Sequence, residues 1–127
     1  TIFDALSAAD TIENCLVNVN TVIDGCCASA GTLISIVGKK RYIKKRSFAL
    51  IHQLSNFLWG KHEEFKDELN NQIKQMTLLK SIYREYTKIP MKKLENILKH
   101  DLWLSSDECL KYGIVDEILT NEAINNK

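Results

Sequence analysis

The chain has 127 residues, 45% of them apolar and 26% charged, the proportions of an ordinary globular domain, which exclude disordered and collagen-like architectures. Seventeen Lys and Arg against sixteen Asp and Glu leave a net charge of +1, so there is no global electrostatic reason to expect a nucleic-acid or membrane partner. No stretch approaches the roughly 20 apolar residues of a membrane span and no signal-peptide pattern opens the chain, so one soluble domain over residues 1–127, in the cytoplasm or an organelle matrix, is expected.

In chain order, Ile2, Phe3, Leu6, Ala9, Ile12 and Cys15 recur at three- and four-residue steps, the stripe of a helix over 2–15. That helical pattern is already running at Thr1, which suggests a missing N-terminal part. Val17 to Ile23 is β-branched and ends in Asp24-Gly25, a strand entering a tight turn. A second helix follows at once over 28–37, stopped by Gly38. Tyr42 to Ile43 and Phe48 to Gln53 read as short strands, and the unbroken run Phe48-Ala49-Leu50-Ile51 suits a strand covered on both faces of a parallel or mixed sheet.

Leu54 to Trp59 is a further extended candidate. From Lys61 to Thr87 one stripe carries Phe65, Leu69, Ile73, Met76, Leu79, Tyr83 and Tyr86, a helix of roughly 40 Å that outruns so small a domain and implies an oligomer. Pro90 can open another helix ending near Lys99. Ser105 and Glu108 fit a capping box, Gly113 a helix stop, Ile114 to Val115 a strand, and the Asn-rich tail after Thr120 is expected to fray. Cys15, Cys26, Cys27 and Cys109 show no metal-ligand spacing and read as reduced, mostly buried thiols. No metal site and no cofactor are expected.

Three positions could carry chemistry. Ser29, in Asp24-Gly25-Cys26-Cys27-Ala28-Ser29-Ala30-Gly31, stands between a β-branched strand and a buried helix, where a nucleophile can face a cleft and backbone N–H groups can meet an oxyanion. An N-cap or packing serine fits the same spacing. His52 ends a buried run, at a strand exit of the kind that lines clefts, or is a satisfied histidine at the core edge. Asp101, flanked by large apolar residues, could orient an imidazole or simply form a turn. His62 and His100 are weaker candidates.

Ala28-Ser29-Ala30-Gly31 after the Gly25 turn, Ile51-His52-Gln53, and Asp101 followed by Trp103, Ser105, Glu108, Tyr112-Gly113 and Val115-Asp116 together resemble the Clp protease proteolytic-subunit (ClpP) family, over nearly the whole chain. The resemblance implies an α/β fold, a ClpP/crotonase-like spiral of short sheets and helices, with a projecting handle helix (handle about 54–87). It implies a serine endopeptidase with Ser29 as nucleophile, His52 as general base and acid, and Asp101 as the residue that holds the imidazole. The Ala30 N–H would bind the oxyanion together with a glycine upstream of Thr1, and Leu54, Ser55 and Asn56 would pair with an extended substrate.

The implied partners are unfolded polypeptides, sister subunits in two stacked heptamers, and an AAA+ unfoldase that alone consumes ATP. Two departures stand out. Leu54-Ser55-Asn56-Phe57 replaces the usual Pro-Leu-Gly-Gly, and Lys99-His100 replaces an Asp-Arg pair that bridges rings. A catalytically impaired ring subunit with a structural role is the alternative reading. A crotonase-type acyl-CoA enzyme is disfavoured by the presence of all three triad residues, and a nucleic-acid patch at Lys39–Arg46 is weaker than a solvated strand edge.

Overall fold

The structure, a computed structural model, describes residues 1–120; the tail expected to fray lies outside the described residues. Its elements are α1 (Ile2–Glu13), β1 (Thr21–Ile23), β2 (Cys26–Ala28), α2 (Ala30–Ile36), β3 (Arg41–Lys44), β4 (Phe48–Leu50), α3 (His62–Tyr86), α4 (Met91–Leu98), β5 (Trp103–Ser105), α5 (Ser106–Lys111) and β6 (Glu117–Leu119). The strands form two small sheets. One has the order β1-β3-β6, all parallel; the other has the order β2-β4-β5, with β2 and β4 parallel and β5 antiparallel to β4.

The chain visits the sheets alternately: β1 and β3 enter the first, β2 and β4 the second. Each turn of the path adds one strand to each sheet, which is the α/β spiral that the resemblance implies. The core lies where the sheets and helices meet, at Leu33, Ile36, Ile43, Ala49, Ile51, Leu94, Leu98, Cys109, Ile114 and Val115, all at most 2% exposed. Gly25 takes φ +76 in the turn between β1 and β2, a left-handed geometry that glycine adopts without a Cβ penalty.

Several expectations are corrected. The strand expected over 17–23 is only Thr21–Ile23, because Val17 is exposed and the stretch before Thr21 makes only isolated bonds, Lys39 N–H to the Val19 carbonyl (2.7 Å) and Lys40 N–H to the Asn20 side chain (3.2 Å); β-branched residues do not make a strand without a partner strand. Cys26–Ala28, expected as turn and helix, is strand β2, and α2 starts two residues later than expected. Leu54–Trp59 is irregular rather than extended in a sheet.

Ile114 and Val115 are core residues and not a strand, since both of their N–H groups bond the Cys109 carbonyl (2.9 and 3.3 Å) and close α5. The thiols are free, but only Cys109 is buried; Cys15 and Cys26 are exposed and Cys27 half-buried, because Cys15 lies just past α1 and β2 is an edge strand.

The long helix behaves as two halves. Its 25 residues span about 37 Å at 1.5 Å per residue. Only Leu79 and Tyr83 are buried, while Phe65, Leu69 and Ile73, on the same apolar stripe, are exposed. The stripe continues where the rest of the fold does not, so the N-terminal half projects.

Candidate active site

Sheet β2-β4-β5 sets the geometry of the site. Its register aligns Ala28 with Leu50 and Leu50 with Trp103. Ser29 follows the last residue of β2, His52 comes two residues after β4 ends, and Asp101 stands two residues before β5 begins. Because β5 runs antiparallel to β4, the start of β5 lies at the same end of the sheet as the ends of β2 and β4. Three segments remote in sequence therefore leave the sheet side by side.

Ser29 sits on a sharp strand-to-helix turn with φ 56 and ψ −125, the one positive-φ residue other than glycine among the described residues. An L-residue in that region is strained and needs its surroundings to hold it there. The Ser29 N–H donates to the Leu50 carbonyl at 2.8 Å, and its own carbonyl accepts from the Thr32 N–H at 3.0 Å and from Thr32 Oγ1 at 2.6 Å.

Thr32 Oγ1 has a single proton, committed to Ser29, so the short bond between Thr32 Oγ1 and the Tyr83 hydroxyl must be donated by Tyr83. Both side chains are buried, and burial pushes the Tyr83 hydroxyl pKa up, which keeps it a donor. This chain, Tyr83 to Thr32 to Ser29, fixes the strained turn from the core side. The sequence holds no local signal for it, because 51 residues separate the two hydroxyls.

His52 is half-buried, and its Nδ1 lies 2.6 Å from the Gln53 carbonyl. A carbonyl can only accept, so this contact requires a proton on Nδ1 and leaves the Nε2 lone pair of the neutral ring free for a base's work. The following N–H of Gln53 donates to the Leu98 carbonyl at 2.9 Å, tying the segment to the end of α4.

Ser29, Ala30 and His52 line one cleft of about 630 Å³, together with Leu54, Ser55 and Asn56, with Leu33 on the α2 side and Glu68, Asn71, Gln72, Gln75, Leu79 and Tyr83 along α3. Ala30 is the first residue of α2, where a helix N–H has no acceptor within the helix. The Leu54 N–H donates to Met76 Sδ at 3.3 Å and the Asn56 side-chain amide to Glu68 Oε1 at 2.6 Å, which anchors the irregular segment to α3.

Asp101 is apart from this group. It does not line the cleft, it is exposed, and it has no hydrogen bond or ion pair with any described residue. Its loop joins α4 to β5 at the correct end of the sheet, but its carboxylate does not hold the His52 ring. His62 is exposed on the projecting half of α3, 3.9 Å from Glu63, and His100 is exposed in the Asp101 loop; neither lines the cleft. Among the described residues no three His, Cys, Asp or Glu side chains are grouped to hold a metal ion, and no helix is long and apolar enough to cross a membrane.

A family model described as Clp protease matches residues 1–122. The chain is 32% identical over 118 residues to an ATP-dependent Clp protease proteolytic subunit of Cyanophora paradoxa, covering 91% of this chain and 61% of that protein. It is 28% identical over 120 residues to the protein of the same name from Deinococcus radiodurans, covering 93% of this chain and 59% of the relative. To the chloroplastic proteolytic subunit 6 of Arabidopsis thaliana it is 28% identical over 122 residues, 94% of this chain and 45% of the relative. The chain thus spans about half to three-fifths of the length of these relatives.

Proposed function

The chain belongs to the Clp protease family, and we propose that it is a serine endopeptidase subunit that cleaves unfolded polypeptides inside an oligomeric chamber fed by an ATP-dependent unfoldase. Ser29 Oγ attacks the scissile carbonyl while His52 Nε2 takes its proton, and His52 then returns that proton to the leaving amine; water repeats the sequence to release the acyl group. The Ala30 N–H stabilises the oxyanion. Asp101 accepts the Nδ1 proton's hydrogen bond once the ring leaves the Gln53 carbonyl, and steadies the imidazolium. Backbone groups of Leu54, Ser55 and Asn56 pair with the extended substrate, which makes recognition tolerant of sequence.

The observation that carries this reading is that Ser29, on its strained turn, and His52 line the same cleft. The ATP-driven work falls to the partner, so this chain needs no cofactor. The handle over about 54–87 supplies contacts to sister subunits, with exposed Phe65, Leu69 and Ile73 as the apolar surface for ring assembly. Bacterial and chloroplastic relatives are compatible with cytoplasm or an organelle matrix.

The test is covalent labelling of the full-length protein with a fluorophosphonate probe, read by intact mass and peptide mapping. One adduct at Ser29, absent from Ser29→Ala and from protein unfolded before labelling, is the expected result. No adduct on the folded protein, or an equal adduct on the Ser29→Ala variant, overturns the proposal.

A further inference from the structure

The wall that α3 presents to the cleft changes character along its length. Glu68, Asn71, Gln72, Gln75, Leu79 and Tyr83 share one helical face, by their three- and four-residue spacing. Near Ser29 that face is apolar and buried at Leu79 and Tyr83; further out it is a row of carboxamides that ends in a carboxylate. Glu68 is half-buried. Its Oε1 accepts from the Asn56 side chain at 2.6 Å, and Oε2 has no partner among the described residues. Among the described lining residues there is no Lys or Arg, the amine of Thr1 is paired with Asp4 at 2.7 Å, and Glu68 is the one carboxylate.

A hydrophobic substrate side chain gains little from the polar α3 wall, whereas a carboxylate held in place there, among carboxamides whose oxygens can accept, suits a cation. Eleven residues of helix separate Leu79 from Glu68, about 16 Å, or roughly five residues of extended peptide. The long stem of a Lys or Arg covers part of that distance itself. We propose, resting on the peptidase reading above, that the outer cleft favours polypeptides with a Lys or Arg three to five residues from the scissile bond, with Glu68, held by Asn56, as the specificity-determining residue.

Cleavage-site profiling of a proteome-derived peptide library with the full-length protein tests this, comparing native, Glu68→Gln and Glu68→Lys proteins with Ser29→Ala as the blank. About fivefold enrichment of Lys and Arg at one outer position is expected, a size suited to a partly solvated ion pair. It should vanish in Glu68→Gln and turn toward Asp and Glu in Glu68→Lys. Ser29-dependent cleavage with one profile in all three overturns the specificity assignment and leaves the peptidase reading standing. If cleavage does not depend on Ser29, the peptidase reading fails, and binding decides the remainder. Fluorescence anisotropy of matched lysine and norleucine peptides on Ser29→Ala should then favour lysine, and only while Glu68 is present. Equal affinities overturn the inference.

Discussion

Replacing Asp101 by Asn asks whether the acid works at the site, and the structure sets the two magnitudes to be told apart. In the proposed mechanism Ser29 gives its proton to His52, which becomes a cation. If the Asp101 carboxylate has by then replaced the Gln53 carbonyl at Nδ1, the two charges are about 4 Å apart in a half-buried setting, worth about 4 kcal/mol at an effective dielectric of 20. That is about a thousandfold in rate, and loss of the orienting acid in serine-protease triads reaches about 10⁴. If instead Nδ1 keeps its 2.6 Å bond to Gln53 and Asp101 stays exposed, the attraction is that of charges in water, about 1 kcal/mol or fivefold. The proposed mechanism requires the first case. Steady-state hydrolysis of a fluorogenic peptide, corrected for active sites by fluorophosphonate titration, should give a kcat at least a thousandfold lower for Asp101→Asn, with KM nearly unchanged. A fall of less than tenfold in properly folded protein refutes the acid's role and leaves the Gln53 carbonyl as the only orienting group.

Two further outcomes follow from the fold. The Arg41 guanidinium bonds both Asp116 oxygens (Nε to Oδ2 at 3.1 Å, Nη2 to Oδ1 at 2.5 Å), the Gly113 carbonyl at 2.9 Å and the Tyr86 carbonyl, fastening β3, the approach to β6 and the end of α3. Its side chain is 14% exposed and that of Asp116 43%, so Arg41→Ala should cost about 2–4 kcal/mol by urea unfolding, less than a fully buried pair because solvent screens Asp116. Arg41 holds the Asp116 carboxyl below its ordinary value of 3.8. The contribution is therefore complete above about pH 4 and lost as pH falls through the lower folded value; a difference between native and variant protein that persists unchanged at pH 2 would contradict this. Burial pushes the thiols of Cys27 and Cys109 up to about 11 and about 12, so iodoacetamide at pH 8 should modify exposed Cys15 and Cys26 first and Cys109 only on unfolding. Equal rates by mass spectrometry would refute the burial argument.

What could be read from the sequence was what repeats or caps. The stripes of α1 and α3, the Ser105–Glu108 capping box and the Asp24-Gly25 turn each carry their cause within a few residues. Pro90 suits the first position of α4 because its missing N–H would be unpaired there, and the structure makes it the cap instead, with φ −60 and ψ 140, a shift of one residue. The three-residue strands Cys26-Cys27-Ala28 and Trp103-Leu104-Ser105 were not legible, since three residues hold too little alternation to betray a strand. They exist because β4 lies between them, a long-range cause. The same holds for the site: Ser29, among small residues between a strand and a helix, and His52, at the end of an apolar run, fit packing roles by position alone and are selected by the family resemblance, while the hydroxyl chain from Tyr83 and the carboxamide wall of α3 come into being only when the helix packs across the cleft.

The three candidate residues stand on unequal mechanical footing. Ser29 and His52 are separated by one rung of a parallel pair, Ala28 against Leu50, and the Ser29 N–H is itself bonded to the Leu50 carbonyl. The sheet thus fixes the backbone from which both side chains project. Asp101 is held between two anchors, the Leu98 carbonyl that accepts from Gln53 N–H and Trp103 in register with Leu50, with residues 99–102 as the bridge. Residues 99–102 are exposed, so a turn of this bridge breaks no buried contact, and it is this turn that the proposed mechanism asks for to bring the carboxylate to the imidazole. In the proposed mechanism the relay is completed by a turn of this bridge together with release of Nδ1 from Gln53. In that mechanism Asp101, rather than Ser29 or His52, is therefore the member whose position has to change before the three act together.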